Sequence, residues 1–283
     1  MLYISTRGAA DGKTFADIAF EGFARDGGLY VPENYPKFTS EDLALLRGRD
    51  FPSVALEVLR RFWTQIPVPD LWGLCRDAWQ PANFGNGRDP FKAHDVAPIK
   101  WLHDGVGLYE LSNGPTLTFD DFSLQFLKRL HAKHLGTEPE NITLLGATTG
   151  DMGASAEYAF GDRRDTRVVM LSPKDRMSKF QSAQLYSNKD ENVLNLEVEG
   201  TFDDCQELVY KLLEDEEFRK ANKLGAVNSY LWARIAVQVA CYFYAYIQAT
   251  GAQNEQVVFC VPGGNFGNAF ALSLIHISEP TRP

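Results

Sequence analysis

The sequence has no long apolar run. Its most apolar stretch covers residues 237–247, which falls short of the roughly 18 uninterrupted apolar residues that a membrane-spanning helix needs. Residues 1–8 also lack the basic region and the apolar core that mark a secretory signal peptide. We therefore expect a cytoplasmic protein.

Cysteine is scarce and scattered. The four cysteines form no CxxC pair. Cys241 and Cys260 lie in apolar runs, so we expect buried thiols rather than disulfides or metal ligands. His131 and His134 have a spacing that suits a metal ion on a helix, but no neighbouring carboxylate or thiol completes a ligand set. A metal site is therefore disfavoured.

Positive charge is also in short supply. The chain has 28 Lys and Arg against 37 Asp and Glu, for a formal net charge of −9, which argues against nucleic acid or an anionic membrane as a partner. A protein of this charge that binds a phosphorylated ligand must create local positive potential with backbone N–H groups and helix N-termini. The oligomeric state cannot be read from the sequence.

Short apolar runs alternate with longer amphipathic segments from about residue 105 onward. This pattern predicts an α/β fold of mostly parallel sheets with flanking helices. Residues 1–105 hold most of the prolines and predict a small mixed N-terminal region, which leaves residues 106–271 as the α/β region. The predicted strands are 107–111, 142–147, 167–171, 193–198 and 257–261. The predicted helices are 40–46, 53–63, 122–135, 153–160, 180–186, 202–218 and 229–249.

The last residues of the chain, 272–283, follow neither the helical nor the strand period and end on a proline. They resemble the translated read-through of a sequencing adapter, and we interpret them as a non-native tail. The alternative is a flexible native C-terminus.

A Gly-Pro turn and the start of a helix follow the first predicted strand of the α/β region. Residues 111–122 read LSNGPTLTFDDF, and a helix N-terminus here would offer unpaired N–H groups to an anion. The segment closely resembles the L-[FS]-[HN]-G-P-T-L-A-F-K-D motif of threonine synthases, which use pyridoxal phosphate (PLP). The resemblance implies PLP fold type II, and it puts Asp120 where the family has the lysine that forms a Schiff base with PLP. Taken alone, two aspartates also suit an ordinary helix N-terminus.

Three further segments resemble the same family. Residues 146–153, GATTGDMG, are similar to a loop that holds the substrate α-carboxylate; residues 226–234, AVNSYLWAR, to a segment of the substrate pocket; and residues 261–268, VPGGNFGN, to the loop that cradles the PLP phosphate. A tight turn or a capped helix explains each segment alone. Met152, Leu231 and Gly263 each replace a polar side chain of the family.

The resemblance implies three sets of site residues. The catalytic position is Asp120. The residues implied to bind the cofactor are Phe119, Gly263, Gly264, Asn265, Phe266 and Gly267. The residues implied to bind substrate are Ser112, Asn113, Thr148, Thr149, Gly150, Asp151, Gly153, Asn228, Ser229 and Arg234.

The implied activity is the conversion of a small phosphorylated amino acid, O-phosphohomoserine, and water to threonine and phosphate with PLP. Asp120 has no amine for the covalent step, so we expect impaired catalysis and no covalently attached PLP. Lys128 would lie about 12 Å further along the helix, and Lys174 and Lys179 cannot be placed. Two alternatives stay open: a PLP- or phospho-ligand-binding protein without turnover, and a fragment without independent function.

Overall fold

The computed structural model describes residues 1–9, 12–85, 95–134, 141–251 and 255–278. The strands are β1 (Tyr3–Ser5), β2 (Tyr30–Pro32), β3 (Ile99–His103), β4 (Val106–Tyr109), β5 (Ile142–Ala147), β6 (Thr166–Pro173), β7 (Val193–Val198) and β8 (Leu224–Ala226). The helices are α1 (Phe15–Ile18), α2 (Ser40–Leu46), α3 (Phe51–Phe62), α4 (Val68–Ala78), α5 (Pro81–Phe84), α6 (Asp120–His134), α7 (Asp151–Phe160), α8 (Lys179–Tyr186), α9 (Phe202–Glu214), α10 (Glu216–Ala221), α11 (Trp232–Ala249) and α12 (Gly267–Ser278).

A four-stranded parallel sheet forms the framework, with the strand order β7-β6-β5-β8. Helices separate consecutive strands of this sheet, as parallel connections require. The mostly parallel α/β prediction is therefore confirmed. The strand predictions for 142–147 and 193–198 match the observed bounds, and strand 167–171 is longer at both ends.

Two strand predictions differ from the structure. Residues 106–109 form β4, which pairs antiparallel with β3 in a separate two-stranded sheet. Residues 257–261 form no strand; Val258 is 94% exposed. Because this apolar run finds no partner strand within the described residues, Cys260 is exposed, and its predicted burial is wrong, whereas Cys241 is buried as predicted.

Helix α11 is the central helix of the structure. Its side chains from Trp232 to Ile247 are buried, and it packs against α3, α6 and α12. The rings of Tyr3 and Phe62 lie 5.9 and 5.6 Å from that of Trp232. The N-terminal region and the α/β region therefore share one apolar core. Among the described helices, none combines the length and the apolarity needed to cross a bilayer.

The helix predicted at 202–218 is interrupted. Asp215 adopts an extended conformation, and its side chain accepts a hydrogen bond from the backbone N–H of Phe218 at 2.9 Å. An aspartate that caps the next helix in this way ends the preceding one. Two helices, α9 and α10, therefore replace the single predicted one.

Helix α12 continues where the sequence pattern indicated irregular structure. Ala271, Leu274 and Ile275 are buried, a spacing that places them on one helical face, and this helix packs against α11. The prediction that residues 272–283 follow no helical period is therefore wrong for residues 272–278. Residues 279–283 lie outside the described residues, and the non-native origin of the tail stays a prediction.

Candidate functional site

The first motif ends in a tight turn that a second aspartate holds in place. The Asp121 carboxylate accepts hydrogen bonds from the backbone N–H and the hydroxyl of Thr116, at 2.8 and 2.7 Å, and from the Ser155 hydroxyl on α7 at 2.6 Å. A Cβ on Gly114 would lie only 2.4 Å from this carboxylate. The turn, α6 and α7 are thus fixed to one another by a single buried side chain.

Asp120, the first residue of α6, forms a buried ion pair. Its carboxylate accepts a hydrogen bond from Nη2 of Arg234 on α11, and both side chains are almost fully buried. The guanidinium also donates to the Ser123 hydroxyl through Nε at 3.0 Å and to the Asn228 carbonyl through Nη1 at 2.7 Å. Ser123 in turn donates to the backbone carbonyl of Asp120 at 3.0 Å. Every nitrogen of the guanidinium therefore has an acceptor within the protein.

Burial and charge oppose each other at this ion pair. Desolvation raises the pKa of Asp120, and the nearby Asp151 adds to that shift, while the Arg234 guanidinium opposes it. An isolated carboxylate would be costly in such a place, since a buried charge needs a partner. Arg234 supplies that partner, so the negative charge at position 120 is compensated inside the protein.

The second motif forms the turn between β5 and α7. The buried hydroxyl of Thr148 accepts hydrogen bonds from the backbone N–H groups of Gly150 and Gly153, both at 3.0 Å. Gly150 has φ +130°, and a Cβ there would lie 2.6 Å from Gln181. Thr149 is exposed beside this turn. Gly150 is the N-cap of α7 and has no side chain to accept a hydrogen bond, so the Thr148 hydroxyl accepts from the third residue of the helix in its place, whereas Thr149 faces outward.

Replacing Thr148 with Val is expected to lower the free energy of unfolding by about 1–2 kcal/mol, because it removes the hydroxyl that accepts from the two N–H groups without changing side-chain size. Thr149→Val is the matched control and should stay within about 0.5 kcal/mol of the natural chain. Urea unfolding monitored by circular dichroism measures both. Equal losses for the two variants would contradict the capping role of Thr148.

Helix α8 connects the first two motifs. Gln184 donates to the Thr116 carbonyl at 2.7 Å, and Gln181 donates to the Asp151 carboxylate at 3.0 Å. Neither glutamine was a candidate from sequence. Gln181 forms a capping box with Ser178, which marks only the start of α8. No local pattern indicates the contacts of the two glutamines with Asp151 and Thr116, since these partners lie far away along the chain.

The segment 226–234 contacts the loop at residues 261–268, called the glycine loop below. The Asn265 side chain donates to the Ser229 hydroxyl at 3.1 Å, and a Cβ on Gly267 would lie 2.4 Å from the Ser229 carbonyl. Asn228 is buried, and its backbone carbonyl accepts from Arg234. This segment therefore touches the glycine loop on one side and, through Arg234, the start of α6 on the other.

The remaining predicted residues take no part in these hydrogen bonds and differ in their exposure. Phe266 is 84% exposed, and Gly263 and Gly264 are exposed as well. Ser112 is exposed, while the buried Asn113 donates to the backbone carbonyls of Val96 and Glu110. Phe119 is half-buried.

Three lysines are the candidates to replace the missing amine. Lys128 lies two turns further along α6 and is half-buried, and desolvation lowers its pKa. Lys174 pairs with Glu199 at 3.1 Å. Lys179 is exposed at the first turn of α8. Within the described residues, none of the three lysines forms a hydrogen bond or an ion pair with Asp120 or Arg234.

His131 lies in an apolar environment on α6. Its ring is 5.6 Å from that of Phe20 and 5.9 Å from that of Phe160, and burial lowers its pKa to about 4. Across the described ranges, no group of three His, Cys, Asp or Glu side chains could hold a metal ion. His131 is therefore a neutral core residue.

The chain is similar to threonine synthases in sequence. Residues 2–79 match the family model described as threonine synthase N terminus. The chain is 43% identical over 271 residues to threonine synthase of Methylobacillus glycogenes, covering 96% of this chain and 57% of that protein. It is 40% identical over 272 residues to threonine synthase of Pseudomonas aeruginosa, covering 96% of this chain and 56% of the relative.

Solved structures give the same result. The PLP-bound threonine synthase of Brucella melitensis superimposes with a TM-score of 0.82 at 41% identity, over 98% of this chain and 57% of that one. The Escherichia coli threonine synthase gives a TM-score of 0.85 at 29% identity, over 98% and 61%. The chain spans a little over half the length of these relatives. Over that span the chain is similar to threonine synthases both in sequence and in fold.

Proposed function

We propose that the chain is a threonine synthase-type protein whose conversion of O-phosphohomoserine and water to threonine and phosphate is impaired, because it has no covalent anchor for PLP. The observation that carries this proposal is the buried pair of Asp120 and Arg234. A carboxylate cannot form the covalent bond to PLP that a lysine amine forms. The side chain at position 120 is also already engaged by the guanidinium.

The residues fit only part of the cofactor. Position 120 does not fit a covalently held PLP, because its side chain has no amine and is bonded to Arg234. The glycine loop is better suited to a phosphate, since Gly263 and Gly264 are exposed and no atom within 3.4 Å would obstruct a Cβ on either. Backbone N–H groups in such a loop can bind an anion without basic side chains.

This loop supports a second candidate function, the binding of PLP or a phosphorylated ligand without turnover. On that account PLP binds reversibly through its phosphate, while Arg234 stays bonded to Asp120. A fragment without independent function is the remaining alternative, and it predicts no PLP binding.

Equilibrium dialysis with PLP and with pyridoxal, which lacks the phosphate, tests the proposal. We expect PLP to bind more tightly than pyridoxal, to be removed by further dialysis, and to support no threonine formation from O-phosphohomoserine. Gly264→Glu should weaken PLP binding about tenfold by charge repulsion. Gly73→Glu on α4, where a side chain also meets no atom, should leave binding unchanged. Sustained threonine formation would overturn the impaired-catalyst proposal, and equal, negligible retention of both ligands would favour the fragment.

A further inference from the structure

Glu157 is a buried carboxyl group that the candidate site does not use. It lies on α7, 1% exposed, and neither of its side-chain oxygens has a hydrogen-bond donor within the described residues. An ionised carboxylate is an acceptor only, so burial without a donor is strongly unfavourable. Burial without a donor therefore favours the protonated, neutral form of Glu157.

Asn195 on β7 is the polar side chain that interacts with Glu157; burial raises the pKa of Glu157 by more than the Asn195 amide, which favours the charged carboxylate, lowers it. Its Nδ2 donates to the Leu185 carbonyl at 3.3 Å, and its buried Oδ1 has no donor. Turning the amide round would place Oδ1 against the Leu185 carbonyl, which also only accepts. A proton on Glu157 supplies the missing donor for Oδ1 without turning the amide.

The charges around Glu157 favour the same state. Asp190, in the turn before β7, repels a negative charge on Glu157. Tyr186 on α8 interacts with it and is bonded to Ser172 on β6 and to Glu197 on β7. In the part of the chain that the structure describes, the groups that shift the pKa of Glu157 include no cation. Burial raises the pKa of Glu157 from its ordinary value of 4.5 to about 8.

We propose that Glu157 is held as a neutral carboxylic acid that donates to Asn195, and that loss of this proton loosens α7 from α8 and β7. Helix α7 begins at the second motif, and α8 contacts both Asp151 and Thr116. Deprotonation therefore acts on the elements that hold the first two motifs together. This pH-sensitive contact does not depend on the proposed function.

The direction of the pH effect follows from the proton balance. The folded chain retains the Glu157 proton up to about pH 8, whereas the unfolded chain releases it near the ordinary glutamate pKa. Raising the pH between those limits therefore favours unfolding, by about tenfold in the folded-to-unfolded ratio per pH unit. Above the folded pKa the effect levels off.

Urea unfolding from pH 5 to 9 of the natural chain and of Glu157→Gln tests this proposal. Glutamine keeps a donor for Asn195 and cannot ionise, so its stability relative to the natural chain should rise by about tenfold per pH unit up to pH 8. Glu214→Gln, at the exposed C-terminus of α9, is the matched control and should show no such rise. Parallel pH profiles for the natural chain and Glu157→Gln would overturn the proposal.

Infrared difference spectroscopy gives an answer even if Glu157→Gln folds poorly. The natural chain at pH 7 should show the carbonyl band of one protonated carboxyl group that the variant lacks, and the band should disappear above pH 8. In addition, the amides of α7 should exchange faster in the natural chain than in Glu157→Gln at pH 9, but not at pH 6. A carboxylate band for Glu157 at pH 7 would contradict the neutral acid.

Discussion

Replacing Asp120 with Ala is expected to lower the free energy of unfolding by about 3–5 kcal/mol, because it leaves Arg234 as a buried cation without its counter-charge. The guanidinium would keep its bonds to the Ser123 hydroxyl and the Asn228 carbonyl, but neither carries a charge. Chemical denaturation at pH 7 measures the loss. The size of the effect distinguishes a buried pair from a surface pair, which contributes about 1 kcal/mol or less.

Asp151→Ala is the matched control for this variant. Asp151 is also the first residue of a helix, but it is exposed and bonds only to Gln181 among the described residues, so we expect a loss below about 1 kcal/mol. The single variants Asp120→Leu and Arg234→Met each leave one buried charge without its partner, whereas the double variant removes both charges. The double variant should therefore lose less stability than the two single variants do in sum. Additive losses, or an Asp120→Ala variant as stable as Asp151→Ala, would contradict the ion pair.

Local patterns predicted the framework of the fold well. Residues 142–147 and 193–198 form strands with the predicted bounds, and 40–46 forms a helix with the predicted bounds. Residues 257–261 have the same apolar character but form no strand, because a strand needs a neighbour with which to share backbone hydrogen bonds. Sequence periodicity reports propensity, but it does not report whether that neighbour exists.

The site was less accessible from sequence than the fold. The resemblance identified Asp120 as a substitution, but the partner of its carboxylate lies 114 residues away along the chain. Arg234 matched a substrate-pocket segment, and only the structure shows its guanidinium bonded to Asp120. The hydrogen bond from Gln184 to Thr116 and the lack, among the described residues, of a donor for the Glu157 carboxyl group likewise depend on residues that are distant along the chain.

Replacing Asp120 with Lys is expected to destabilise the chain more than Asp120→Ala does, because it puts a second cation beside the buried Arg234 guanidinium. Burial and the neighbouring charge should lower the pKa of the new amine, which increases its reactive, uncharged fraction. We therefore expect this variant to become covalently labelled by PLP at position 120, and to gain thermal stability when PLP is added.

Asp151→Lys serves as the control for this variant, since it adds an amine at the exposed start of α7. It should gain neither stoichiometric label nor stability from PLP. Equal labelling of the two variants would show that exposure rather than the site determines reactivity. An Asp120→Lys variant that folds as well as the natural chain without PLP would show that Arg234 does not need a counter-charge.

The most direct test of the central claim is borohydride reduction of the natural chain in the presence of PLP, followed by mass analysis of its peptides. The chain carries an ion-paired aspartate at position 120, so we predict no stoichiometric PLP label on any lysine, while Asp120→Lys in parallel is labelled at that position. Stoichiometric labelling of one lysine of the natural chain, such as Lys128 or Lys179, would contradict the claim that this protein has no covalent anchor for PLP.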